Sequence, residues 1–133
     1  MLKTFDIQTN SHNELVDVTG QVQKIIKKSG ISEGLCVVYV PHTTAGITIN
    51  ENADPSVRFD IIMECSKFVP EHDKEYLHSE GNSAGHIKST VFGSSVHLII
   101  ANGSLVLGTW QGIFFGEFDG PRRRHVHVKI LKG

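Results

Sequence analysis

The sequence has no run approaching the roughly 20 apolar residues that a membrane-spanning helix needs, which excludes that class of protein. It also lacks an excess of charge. Thirteen Lys and Arg stand against 14 Asp and Glu, a net charge of −1 with neutral His, so no global field draws the chain to nucleic acid or anionic lipid. Cysteine is scarce: Cys36 and Cys65 lie in separate apolar segments rather than in a CxxC pair, so neither a thiolate zinc site nor a disulfide scaffold is suggested. Both read as buried thiols. No repeat, low-complexity tract or Pro/Gly/Ser linker divides the 133 residues, and one domain over 1–133 is expected. Met1 to Asn10 lacks the apolar core and cleavage site of a signal peptide, which favours a reducing cytoplasm. What the chain does hold in number is eight His and 13 Gly.

Two segments have helical periodicity. In Thr19 to Ser29, Val22, Ile25 and Ile26 share a face and Gly30 follows as terminator. From Asp54 to Val69, Val57, Ile61, Cys65 and Phe68 form a stripe, with Asp54 as N-cap, Pro55 in the first turn and Pro70 as the stop. The rest reads as strand: Leu35 to Val40, then Ala45 to Ile49, Val96 to Ala101, Ser104 to Thr109, Gly112 to Phe118 and Arg124 to Leu131. Asn102-Gly103 suits a two-residue type I′ hairpin, which sets Ala101 opposite Ser104, Leu98 opposite Leu107 and His97 opposite Gly108. The expected fold is α+β, a mainly antiparallel, β-sandwich-like sheet with two main helices.

Three His lie in turn-like surroundings: His42 after a buried strand, and His78 and His86 around the glycine-containing stretch Glu80 to Gly85. Converging, three neutral imidazoles would make an open metal site able to acidify a bound water. Scattered hydrogen-bonded His and metal-free acid/base His are the alternatives. Glu51 and Glu117 sit at strand ends, either of them a candidate base or orienter of an imidazole, or else a helix cap and a solvated strand end. Alternation along the last strand puts Arg122 and Arg124 on the face of Val126, Val128 and Ile130, where a guanidinium needs an anionic partner. That partner is either a carboxylate such as Glu117 or Glu51, or a bound anion. The Arg123, His125, His127 and Lys129 stripe reads as a solvated face, a poor nucleic-acid platform. His12, His72 and His97 read as hydrogen-bonded or solvated, and Trp110 as core or interface area, or a stacking surface for a flat ligand.

The strings Pro41-His42-Thr43-Thr44-Ala45-Gly46-Ile47-Thr48-Ile49-Asn50-Glu51-Asn52-Ala53-Asp54-Pro55, Ala84-Gly85-His86-Ile87-Lys88-Ser89, Leu107-Gly108-Thr109-Trp110-Gln111-Gly112-Ile113 and Gly120-Pro121-Arg122-Arg123-Arg124 resemble the YjbQ family of small proteins (UPF0047). The resemblance implies a compact α+β fold, a homotrimer with pockets at subunit contacts, and similarity to thiamine-phosphate synthases in a weak secondary activity. It also implies that His42 and His86 are motif His, with His78 in the comparable place, and that Glu51, Arg122 and Arg124 belong to the family strings. Gly81 to Gly85 has no carboxylate, so Glu80 or Glu51 would stand in for one.

The sequence thus leads to a metal-assisted enzyme for a small phosphorylated or otherwise anionic metabolite. His42, His78 and His86 would bind a divalent ion, zinc by their donor chemistry. Glu51 and His86 would be catalytic, and Arg122, Arg124 and Asn82 would hold the substrate. The rival class is a non-catalytic anion-binding or assembly module, favoured by the absence of an unambiguous nucleophile.

Overall fold

Local signals place the first two helices in the computed structural model, which describes residues 1–133. Thr19–Ser29 forms α1 and buries Val22 and Ile26; Gly30 ends it in the left-handed region at φ 70°, where a side chain would be strained. Pro55–Phe68 forms α2. Asp54 caps it by accepting from the Ser56 N–H at 2.9 Å, and Pro55 occupies the first turn, where its missing N–H costs nothing. Asp54→Ala should lower stability by about 1 kcal/mol, a fall of roughly 3 °C in the thermal midpoint.

A third helix, α3 at Ser83–Phe92, stands where the sequence suggested a loop around His86. Two glycines masked it. Gly81 turns the chain into the helix at φ 77°, whereas Gly85 lies inside it, its bare Cα set against the Phe118 carbonyl and Thr44.

The strands are β1 (Leu2–Gln8), β2 (Glu14–Asp17), β3 (Gly34–Tyr39), β4 (Ala45–Glu51), β5 (Ser95–Ala101), β6 (Ser104–Leu105), β7 (Gln111–Glu117) and β8 (Arg123–Lys132). All pairings are antiparallel, in a five-stranded sheet of order β1-β8-β3-β5-β6 and a three-stranded sheet of order β2-β7-β4. One core of 17 buried residues joins them: Val38, Ile100 and Val128 of the larger sheet share it with Ile47, Ile113 and Phe115 of the smaller and with Val22 and Ile26 of α1. The α+β, antiparallel architecture is as expected, with three helices in place of two. β1 and β2 were not foreseen: in β1 only Ile7 is fully buried, and β2 is four residues long.

Asn102 and Gly103 take φ of 53° and 74°, and Ala101 faces Ser104 as a two-residue turn requires. Past the Ile100–Leu105 pair one further bond, from the Val106 N–H to the Ile99 carbonyl at 2.8 Å, keeps the register, but the expected pairs Leu98–Leu107 and His97–Gly108 do not form. Leu107 instead packs on the core, and the Gly108 N–H donates to Gln111 Oε1 at 2.8 Å in the turn that leads into β7. The α2 stripe is also less buried than its periodicity suggested: Cys65 is covered and Val57 and Ile61 are half-buried, while Phe68 is 60% exposed. Both thiols are buried and unpaired, and burial pushes Cys36 up to about 11. No helix is long and apolar enough to cross a membrane.

Candidate functional site

Three strings that lie far apart in the sequence meet at one corner, where β4 starts, α3 lies and β7 turns into β8. Ser89 Oγ of α3 donates to the Ala45 carbonyl at 2.6 Å, and the Phe118 N–H donates to the Thr44 carbonyl at 3.1 Å. Gly85 completes the seam, since only a residue without Cβ permits α3 to approach Phe118 this closely.

Beneath the seam lies a buried ion pair. Arg124 Nε donates to Glu117 Oε1 at 2.8 Å, and Nη2 donates to Glu117 Oε2 and, at 3.0 Å, to Thr44 Oγ1. Glu117 also accepts from Thr9 Oγ1 at 2.8 Å and from the Asp119 N–H at 2.9 Å. Burial alone would raise the Glu117 carboxyl; the bonds from Arg124, Asp119 and Thr9 outweigh it and hold the group below the usual carboxylate range. Of the two partners considered for Arg124, the carboxylate is the one present, which leaves this guanidinium structural rather than open to an anion. Arg122 does not share its face. It precedes β8, so strand alternation does not reach it; its half-exposed side chain donates to the Asp119 carbonyl at 2.9 Å and to Asp119 Oδ2 at 3.0 Å.

Asp119 also accepts from Asn82 Nδ2 at 2.9 Å. Asn82 Oδ1 is buried with no partner, although Asn82 is the residue at the start of α3 where a capping bond would be usual. The orphaned acceptor is free for a ligand's donor. His86, one turn on, meets His78 edge to face with ring centroids 5.2 Å apart, and Glu80 Oε1 lies 3.9 Å from His78 Nε2. His86 stands between two clefts: a polar one of about 370 Å³ bordered by Thr43, Ser89, Thr90 and Ser94, and one of about 470 Å³ bordered by Tyr76, Leu77 and His78.

His42 is not part of that pair. Its Nε2 accepts the backbone N–H of His125 at 2.9 Å, which fixes the ring proton on Nδ1, and its ring stacks on His125 at 5.9 Å. Burial, helped by the Arg124 charge, lowers its pKa, so the neutral form is favoured. The expected three-imidazole site therefore does not form within one chain, and no group of three or more His, Cys, Asp or Glu is placed to hold a metal there. Glu51 is likewise remote. It ends β4 opposite Gln111, whereas the site is at the Ala45 end, about 20 Å away at the strand rise.

Sequence reasoning missed Asp6. The face of Arg123 and His125 is exposed, as read, and it is also cross-linked: Asp6 Oδ1 lies 2.6 Å from His125 Nδ1, and Asp6 Oδ2 accepts from Arg123 Nη2 at 2.8 Å. These bonds, that with His125 first, lower the Asp6 carboxyl. The only sequence signal available was that β1 alternates, and pairing it with β8 sets Asp6 opposite His125.

The chain is similar to known proteins along nearly its whole length. A UPF0047 protein of Methanocaldococcus jannaschii is 55% identical over 131 residues, 98% of this chain and 94% of that one. The UPF0047 protein YugU of Bacillus subtilis is 49% identical over 132 residues, 98% of this chain and 99% of that one. Among solved structures, a YjbQ/UPF0047 family protein of Clostridium acetobutylicum superposes with a TM-score of 0.95 at 52% identity, covering 97% of this chain and 99% of that one. A YbjQ-like protein of Sulfolobus solfataricus gives 0.94 at 36% identity, covering 100% and 97%. The family model described as UPF0047 protein YjbQ-like matches residues 3–133, and with these identities it establishes that the chain belongs to the YjbQ-like UPF0047 family.

Proposed function

We propose that the protein is a divalent-metal-assisted enzyme acting on a small phosphorylated or otherwise anionic metabolite, with His78 and His86 as the imidazole ligands of one chain. The separation of those two rings carries the reading. Two imidazoles on one tetrahedral ion, with Zn–N near 2.0 Å, have ring centroids about 5 Å apart, which the observed 5.2 Å matches. Imidazole donors select zinc over magnesium or calcium, and the remaining positions fall to a second copy of the chain, water or substrate. A bound ion of this kind would acidify a water or polarise a phosphoryl oxygen.

The chain's own groups supply the rest. Glu80, beside His78, takes the orienting role first expected of Glu51. Asn82 Oδ1 accepts a substrate donor, Arg122 draws the anionic end, and Thr43 and Ser94 offer hydroxyls in the polar cleft. Arg124 acts only by holding Glu117 and Thr44 in place. Formation of thiamine phosphate, in which pyrophosphate leaves as a thiazole nitrogen attacks, is the side reaction to assay. The two unpaired thiols suit the cytoplasm.

Exposed Phe59, Phe68, Leu77 and Val91 support assembly into a homotrimer, and they also favour the second reading, a non-catalytic assembly module. Light scattering at micromolar concentration should return three times the 14.7 kDa of one chain; a monomer mass rejects the trimer. Protein purified without added metal should contain or take up one zinc per chain, with affinity weakening in acid because ligation needs neutral rings. His86→Ala should weaken uptake at least 100-fold with circular dichroism unchanged. A well-folded oligomer that takes no zinc leaves the assembly module as the function.

A further inference from the structure

His12 lies between two acceptors. Its Nε2 is 2.6 Å from Glu71 Oε1 and its Nδ1 is 3.1 Å from the Gly120 carbonyl oxygen. A neutral imidazole carries one N–H and an imidazolium two, so both contacts are hydrogen bonds only when His12 is protonated. The two acceptors belong to different parts of the fold. Glu71 opens the segment 69–82 between α2 and α3, which carries His78 and ends at Asn82; Gly120 lies in the turn from β7 to β8, whose Asp119 holds both Asn82 and Arg122.

We propose that His12 is a positioning residue for the His78 and His86 site: as imidazolium it clasps the α2–α3 segment to the β7–β8 turn, and loss of its ring proton opens the clasp. The role at the site rests on His78 and His86 being metal ligands; the clasp itself does not. Facing His12 are Glu71 from the segment, Asp119 from the turn with its partner Arg122, and Lys88 from α3. Lys88 is buried, with Nζ 3.9 Å from Glu71 Oε2 and donating to Asn13 Oδ1 at 3.1 Å. Within its own turn Glu14 accepts the Ser11 N–H at 2.8 Å. The bond with Glu71 raises the His12 pKa, burial opposes it, and the Gly120 carbonyl and Asp119 add to the rise.

A raised pKa means the clasp is closed below the ordinary imidazole value near 6.5 and is lost as pH rises through the folded value. Ligation has the opposite demand, because it needs neutral rings. Zinc affinity should therefore be bell-shaped in pH, its basic limb set by His12. Lys88 still attracts Glu71 after His12 loses its proton, which limits the opening to about tenfold.

The test is tryptic cleavage after Lys74, in the clasped segment, on the full metal-free chain from pH 6 to 9, normalised at each pH to a small peptide substrate. Wild type should be cut about tenfold faster across the His12 titration followed by NMR. His12→Gln should be cut fast at every pH, and its zinc affinity should lose the basic limb. A wild-type rate that stays flat through the His12 titration, or a His12→Gln protein that keeps the step, overturns the clasp. A wild-type chain that takes no zinc at any pH overturns the ligand reading and the positioning role with it, while the cleavage step reports the clasp separately.

Discussion

Glu117→Ala is expected to destabilise the chain by about 3–5 kcal/mol, because it strands the Arg124 guanidinium in the core without its carboxylate. The two side chains are 0% and 3% exposed, so water cannot take over the lost bonds. Thr9 and the Asp119 N–H lose an acceptor at the same time. The measurement is the denaturant midpoint at constant m-value. Glu117→Leu combined with Arg124→Met should cost less than either single change, since burying two apolar groups leaves no charge unpaired. A double variant as unstable as the sum of the singles would show that the pair does not act as a unit.

The same pair sets an acid limb. With its folded pKa held below its unfolded value of 4.5, Glu117 contributes stability that is fully present above about pH 4.5 and is lost as pH falls through the folded pKa. Midpoints measured between pH 3 and 6 should fall less steeply for the double variant than for wild type.

Gly85→Ala is the second large effect. In a solvent-facing helix this change would stabilise by roughly 0.5–1 kcal/mol. Here the new Cβ would sit 2.8 Å from the Phe118 carbonyl oxygen and 3.4 Å from Thr44, the residues just past the end of β7 and just before the start of β4. α3 would have to retreat by about half an ångström or more to reach ordinary contact, at a cost of about 1–3 kcal/mol. His86 follows Gly85 directly, so if His86 is the metal ligand proposed above, zinc uptake should weaken about 10–100-fold while the helix content is kept. A variant that is more stable than wild type, with unchanged affinity, would place α3 away from the seam.

Elements with local causes were legible. An N-cap aspartate with a following proline, a left-handed glycine and an apolar stripe fix α1 and α2 within a few residues of chain, and Asn102-Gly103 fixes its turn in the same way. Where the cause is a distant neighbour, the sequence misled. Gly85 looks like a loop residue until Phe118 is seen beside it, and Arg122 looks inward until β8 is found to begin one residue later. Glu51 belongs to the same string as His42, yet an extended β4 carries it to the far end of the sheet.

By itself the sequence determined the antiparallel α+β character, two capped helices, the family, and the set of strings that assemble at one corner, because periodicity, caps and turn residues act within a few positions. Only the tertiary structure decided which members of those strings touch: His78 with His86, His42 with His125, Arg124 with Glu117, and His12 between Glu71 and Gly120. Some of those partners are 59 to 108 positions apart and Arg124 and Glu117 only seven, but in each case the pairing follows from sheet register, turns and helix packing, which no local pattern encodes.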